Sequence, residues 1–273
     1  MNARRASRIL SVDCSEVMHF DHTQWILGSV AAMLVGVSKT GLPGTGILVV
    51  PLLAAAFGSR PSVGIMLPML IFADLFAVTW YRRHAQWDKL VGLIPWVVAG
   101  MASGAVALWA VGEAKSQLDI LGKAIGVIVL VMLFLTIVQD RLDERLTPHS
   151  PAGVAFTGAA AGFTTMVSNA AGPVMTIYMT AHKLPKKQFV GTLAWYFFIF
   201  NLSKLPIYAV LTALNPAKPM MTAHSLLFNL MVCPVILLGV FAGKWLLPRI
   251  PQKLFDTTVL ALAGIAAVKL VVG

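Results

Sequence analysis

Charged residues and cysteines are both scarce in this chain. Asp, Glu, Lys and Arg make up 12% of its 273 residues, whereas roughly a quarter is usual in a soluble domain. The two cysteines, Cys14 and Cys233, are too few for a disulfide framework or a four-thiolate metal site. Basic residues outnumber acidic ones, 21 to 11, but they lie in short loops between apolar stretches. That pattern is typical of membrane orientation and argues against a nucleic-acid partner.

Long apolar stretches dominate the rest of the sequence. Hydrophobic residues make up 58% of the chain, and the mean hydropathy is +0.81. Each stretch has about 20 residues, which is enough to cross a hydrocarbon core of roughly 30 Å. We therefore predict an all-α, multi-pass integral membrane protein that has the lipid bilayer as its partner. The predicted apolar segments are 25–57, 61–81, 90–112, 118–139, 151–181, 186–212, 223–247 and 253–272.

Two of these segments are interrupted near their middle by glycine and proline. The interruptions fall in 36–51, GVSKTGLPGTGILVVP, and in 162–176, GFTTMVSNAAGPVMT. Backbone groups freed inside a bilayer must face protein, water or a ligand, because lipid cannot satisfy them. Broken helices at matching points of a duplicated membrane chain are typical of substrate sites in transporters.

The interrupted segments open two similar halves of the chain. Val-Gly pairs follow them at Val63 and Val190, which are 127 residues apart. A Pro-x4-Gly-x3-Gly pattern also occurs twice, 139 residues apart, at Pro95, Gly100, Gly104 and at Pro234, Gly239, Gly243. We interpret these glycines as close helix-packing contacts. The predicted parts are a leader (1–24) without a cleavable signal peptide, repeat 1 (25–139), a linker (140–150) and repeat 2 (151–273).

The charges of equivalent loops predict that the repeats are inverted. In each pair of equivalent loops one member is rich in Lys and Arg and the other is poor; the pairs are 82–89 with 213–222, 58–60 with 182–187, and 113–117 with 244–253. The positive-inside rule then places equivalent loops on opposite faces of the membrane. Inversion requires an odd number of crossings per half, so each broken segment would be a re-entrant hairpin. Eight full spans are the alternative, and the sequence leaves both open.

Three charged residues lie inside the apolar segments. Lys39 is at the first break, Lys204 lies two residues before Pro206, and Asp74 is within LIFADLFAVTW. A lysine inside a bilayer costs about 2.5 kcal/mol or more, so it marks a site or has a partner. At the 127-residue offset Asp74 corresponds to Asn201. Asp74 either carries a coupling proton or balances the charge of a lysine.

The breaks also favour an anion as the ligand. Where each helix resumes, near Gly46 and at Pro173, the first N–H groups carry the positive end of the helix dipole. Two such ends can bind an anion with few charged side chains. Nearby hydroxyl and amide groups either bind its oxygens or satisfy freed carbonyls. The candidate substrate-binding residues are Lys39, Thr40, Thr45, Gly46, Ser168, Asn169, Gly172, Pro173, Asn201 and Lys204.

Several motifs resemble one transporter family. The glycine-rich broken helix ends in VVPLL, a Val-Gly pair opens the next helix, and a small-x3-Gly helix follows Pro95. In these features the chain resembles the sulfite exporter TauE/SafE family over roughly residues 25–272. The resemblance implies an inner-membrane carrier of sulfite or small organosulfonates. The chain departs from the family's consecutive glycines, which leaves the choice of substrate open.

The predicted function is therefore a secondary transporter that moves a small oxyanion by alternating access. An anion channel, or a carrier of another small anion such as a carboxylate, is the alternative, because half-helix dipoles also build selectivity filters. We predict no enzymatic activity and no metal or cofactor, because all six histidines lie in the leader, in loops or at helix ends, at 19, 22, 84, 149, 182 and 224. The sequence does not determine the oligomeric state.

Overall fold

The computed structural model describes residues 20–40, 46–113, 119–142 and 150–246, together with parts of 261–272. Within these ranges the chain is helical and contains no strand. The helices are α1 (His22–Thr40), α2 (Gly46–Phe57), α3 (Ser59–Tyr81), α4 (Trp87–Val91), α5 (Ile94–Glu113), α6 (Ile120–Leu142), α7 (Pro151–Ser168), α8 (Gly172–Ala181), α9 (Lys186–Leu214) and α10 (Ala223–Leu246), with a 3-10 turn at Arg82–His84.

Five of the described helices are long and apolar enough to cross a membrane: α3, α5, α6, α9 and α10. Their bounds lie close to those of five of the predicted segments, and the predicted all-α membrane fold is confirmed. The predicted leader 1–24, the linker 140–150 and the last segment 253–272 lie mostly outside the described residues. The division into two repeats stays a prediction.

Both predicted breaks separate helices in the structure. The first helix ends at Thr40 and the next begins at Gly46, with 41–45 outside the described residues. The second break runs from Ser168 to Gly172, and Asn169 ends α7 in the left-handed conformation, with φ 56°. Helix α8 has 10 residues, about 15 Å at 1.5 Å per residue, which is half of the hydrocarbon core. Helices α1 and α2 also pack side by side, as the two legs of a hairpin would.

Helix α1 packs closely against α10 because both have glycine where they meet. A Cβ atom on Gly36 would lie 2.3 Å from the carbonyl oxygen of Ile236, and one on Gly239 would lie 2.2 Å from that of Met33. Any larger residue would therefore push the two backbones apart. The predicted role of Gly239 in helix packing agrees with these contacts.

The same contact occurs between α5 and α7. A Cβ atom on Gly100 would lie 2.1 Å from the carbonyl oxygen of Ala159, and one on Gly162 would lie 2.1 Å from that of Val97. The contacting residues of α5 and α10 correspond at an offset of 139, and those of α1 and α7 at an offset of 126. One helix of each half is thus packed against the other half in the same register.

A few charged and polar side chains are buried within a mostly apolar core. Helices α3 and α9 pack against each other and bury Asp74, Asn201 and Lys204. The outer helices expose large apolar side chains such as Trp96 and Val106. An apolar outer surface and buried charges match a protein surrounded by lipid.

Candidate functional site

A cavity of about 90 Å³ lies where the two broken segments resume as helices. Its lining includes Gly46, the first residue of α2, and Gly172, the first residue of α8. The long helices α3 and α9 supply its walls. Within the described residues the lining is Ser38, Lys39, Gly46, Ile47, Met66, Leu70, Ala77, Thr165, Asn169, Ala170, Gly172, Pro173, Thr176, Val190, Leu193, Ala194, Phe197 and Asn201.

Lys39 is the one residue with a cationic side chain on the described lining of this cavity. It lies in the last turn of α1, and its Nζ atom is 2.8 Å from Asp74 Oδ1. The same atom lies 4.0 Å from the centre of the Phe197 ring, a cation–π distance. The side chain is 11% exposed and forms part of the cavity lining.

Asp74 lies behind Lys39 and is fully buried. While Oδ1 pairs with Lys39, Oδ2 accepts a hydrogen bond of 2.7 Å from Asn201 Nδ2. Both oxygens of the carboxylate are therefore engaged, as a buried charge requires. Asp74 and Asn201 are each other's counterparts at the 127-residue offset, so the predicted correspondence joins two residues that are in direct contact.

Lys204 is fully buried and does not line the cavity. Its Nζ atom donates to the carbonyl and hydroxyl oxygens of Thr165, both at 3.1 Å, and to Asn169 Oδ1 at 2.6 Å. Because Thr165 and Asn169 do line the cavity, Lys204 fixes the wall from behind. Asn169 in turn donates from Nδ2 to the carbonyl oxygen of Val63 at 3.1 Å, which ties the second break to α3.

The start of α8 faces open space. A Cβ atom on Gly172 would meet nothing within 4 Å, and Pro173 follows in the first turn. Proline suits this position, because the N–H it lacks would have no acceptor within the helix. The first turns of α2 and α8 thus bring two positive dipole ends to one cavity. The described lining holds no carboxylate, thiol or imidazole, so what it offers a ligand is charge and hydrogen bonds.

The structure brings most of the predicted site residues together. Lys39, Gly46, Asn169, Gly172, Pro173 and Asn201 all line the cavity, while Asp74 and Lys204 support it from behind.

Two predicted residues lie elsewhere, and a third is outside the described residues. The Thr40 hydroxyl donates to the carbonyl oxygen of Val240 at 2.9 Å and joins α1 to α10. The Ser168 hydroxyl donates within its own helix, to the Thr164 carbonyl oxygen at 3.0 Å. Neither residue is on the described lining. Thr45 lies outside the described residues.

The apolar wall of the cavity was not among the candidate binding residues. Met66 and Leu70 precede Asp74 by eight and four residues, and Leu193 and Phe197 precede Asn201 by the same steps. Residues four apart share a face of a helix. A search along the faces of Asp74 and Asn201 would therefore have found these four side chains.

The fold and this cavity define a multi-pass helical membrane protein with a charged site at the centre of its helices. The family model of the sulfite exporter TauE/SafE matches residues 28–270, and the chain belongs to this family. The resemblance drawn from the broken helices is thereby confirmed, and with it the class of membrane transporter for sulfite-type anions. Neither a curated protein nor a solved structure gave a significant match to the chain.

Proposed function

We propose that this protein is a secondary transporter that moves a small oxyanion, sulfite or an organosulfonate, across the inner membrane by alternating access. The observation that carries the proposal is the position of Lys39. Its side chain lines a cavity that also receives the first turns of α2 and α8. Three sources of positive potential therefore converge on one small space.

An anion in this cavity would find donors on several sides. Lys39 supplies a charged donor, and charge-assisted hydrogen bonds are stronger than neutral ones. Thr165 lines the cavity, and its hydroxyl accepts from Lys204 and so keeps its own proton to donate. Ser38 and Asn201 also line the cavity, where the Ser38 hydroxyl donates to Val35 and the Asn201 amide to Asp74. Backbone N–H groups at the start of α8 add the dipole of that helix.

The pair between Lys39 and Asp74 connects anion binding to charge balance. In the structure Asp74 is the counter-ion of Lys39. An anion that binds the ammonium takes over this role from the carboxylate. Asp74 then keeps its hydrogen bond from Asn201 and either balances the charge of the site or accepts a coupling proton. This agrees with its assignment as a coupling or charge-balancing residue.

The apolar part of the lining favours an organosulfonate over an anion such as sulfate. Met66, Leu70, Leu193 and Phe197 offer no hydrogen bond to an oxyanion. Sulfate has oxygens on all sides and would leave some of them without a partner, which is costly away from water. A sulfonate with a short apolar tail places its oxygens near Lys39 and its tail on this wall.

A counterflow experiment in proteoliposomes tests the proposal. Vesicles loaded with unlabelled sulfite, sulfate, ethanesulfonate, taurine or acetate are given the labelled anion outside. We expect saturable exchange of sulfite or ethanesulfonate, and Lys39→Ala should weaken it on the order of a hundredfold, since truncating a buried charged contact costs about 2–5 kcal/mol. Lys123→Ala, which removes an exposed lysine of α6, is the matched control and should leave exchange unchanged.

Three other outcomes would contradict the proposal. Unchanged exchange by the Lys39→Ala protein would remove the assigned role of this residue. Exchange of acetate alone would make the protein a carboxylate carrier. Conductive flux without exchange would make it an anion channel, which the same helix ends could also form.

A further inference from the structure

Part of the cavity lining comes from equivalent residues of both halves of the chain. At the 126-residue offset Gly46 corresponds to Gly172, and both line the cavity. At the 127-residue offset Met66 corresponds to Leu193, and both line it as well. Next to the lining, Asp74 contacts its own counterpart, Asn201. Residues that contact their own counterparts lie on a two-fold axis, so the axis relating the halves passes between these two side chains.

Two half-buried residues of the lining belong to the second half, and their counterparts in the first half do not line the cavity. They are Thr176 on α8 and Val190 on α9. Their counterparts at the same offsets are Val50 on α2 and Val63 on α3. Val50 is 3% exposed and Val63 is 2% exposed, and neither is on the described lining. The cavity therefore reaches between α8 and α9 in the second half, whereas the equivalent residues of α2 and α3 in the first half are buried away from it.

Helix packing explains this difference. Helix α2 packs along α3 more extensively than α8 packs along α9, so the first half is closed where the second half is open. The surrounding helices pack alike in both halves, because α1 meets α10 and α5 meets α7 at equivalent glycine positions. An inverted-repeat carrier has this arrangement in either of its end states: the surrounding helices are alike, while one hairpin is closed and the other is open.

We infer that the structure is one of two states related by exchange of the halves. The cavity opens beside Thr176 and Val190 in this state and beside Val50 and Val63 in the other. In the other state α2 moves away from α3, Val50 and Val63 face water, and α8 packs onto α9 and buries Thr176 and Val190. The contact between Asp74 and Asn201 lies on the axis and persists in both states. This inference rests on the proposed transport function and names the residues that open and close.

Cysteine labelling tests the exchange in vesicles that are shown to carry out counterflow. In a background with Cys14→Ser and Cys233→Ala, single cysteines replace Thr176, Val190, Val50 and Val63, and a small charged thiol reagent is applied to either face. Val49→Cys and Met175→Cys are the matched controls, because these counterparts are both fully buried. Counterflow of each variant shows that the labelled protein is folded.

The expected result is labelling from opposite faces. Thr176→Cys and Val190→Cys should react from one face, and Val50→Cys and Val63→Cys from the other, each about tenfold faster than the controls in proportion to the open population. Reaction of Val50→Cys and Val63→Cys from the same face as Thr176→Cys, or no faster than Val49→Cys in vesicles that exchange anions, would overturn the inference. The two valines are independent readouts if one variant does not fold. Failure of the proposed function differs from these results, since it shows as loss of anion exchange by the unsubstituted protein.

Discussion

The two halves of the cavity hold their lysines in different places. In the first half the lysine is on the broken segment, at Lys39, and the counterpart of Lys204 on the following helix is Ala77. In the second half the broken segment has Thr165 and the following helix has Lys204. Lys39 reaches the cavity and pairs with a carboxylate, whereas Lys204 lies behind the wall and binds neutral oxygens. A duplicated scaffold can thus use the same charge to bind a ligand or to hold the wall that surrounds it.

This comparison predicts that removing each lysine affects a different property of the protein. Removing Lys39 should affect the ligand most, because its ammonium is the part of the pair that a ligand can reach. Removing Lys204 should affect the fold most, because the Thr165 hydroxyl oxygen and Asn169 Oδ1 would lose the donor that Lys204 gives them. The following experiments break or sharpen this difference.

The largest effect is expected for Asp74→Ala. Lys39 would then be a partly buried cation without its partner, and the free energy of unfolding in detergent should fall by about 3–5 kcal/mol. Thermal unfolding measures this. Asp88→Ala is the control, because its pair with Lys89 lies on the surface and surface pairs contribute little. A loss no larger than that of the control would mean that Asp74 does not stabilise the first half.

Lys204→Met should destabilise the protein without abolishing anion selectivity. Each buried acceptor left without its donor costs about 1–3 kcal/mol, and Thr165 and Asn169 both lose theirs. Exchange of anions by the protein that remains folded should keep its order of preference among the anions. If instead the preference changed while the stability did not, Lys204 would act on the ligand directly, as the sequence predicted.

The glycine contacts should matter equally in both halves. Gly100→Ala and Gly239→Ala each place a Cβ about 2 Å from a backbone carbonyl oxygen, and overpacking of this kind costs about 1–3 kcal/mol. Gly92→Ala is the control, since nothing lies within 4 Å of its Cβ position. Unequal losses from the two substitutions, measured by thermal unfolding, would contradict the equivalence of the two interfaces.

The smallest effect is expected for Thr40→Val. Its hydroxyl joins α1 to α10, so its loss should cost about 0.5–1.5 kcal/mol of stability and leave anion exchange unchanged. Thr136→Val is a suitable control, because that hydroxyl bonds only within its own helix, to Met132. A large loss of exchange by Thr40→Val would place this residue in the site after all.

Much of the fold could be predicted because it depends on local pattern. Apolar length predicted the spanning helices within a few residues. Glycine with proline predicted that the second broken helix resumes at Pro173, one residue after α8 begins in the structure at Gly172. Lys39, Asp74 and Lys204 were found because a charge in an apolar segment is rare for an energetic reason. Phe197 was missed because an aromatic residue in an apolar run carries no such signal.

The sequence by itself determined that this is a membrane protein with two broken helices and three buried charges. It also predicted that Asp74 and Asn201 correspond, since that follows from their spacing. Only the tertiary structure decided which lysine faces the cavity, since that depends on whether α1 or α9 presents its side chain to the space between the helices. It also decided that Thr176 and Val190 line the cavity while their counterparts Val50 and Val63 are buried away from it. Both halves have broken helices, and the difference between them lies in how tightly α2 and α8 pack on the helices that follow.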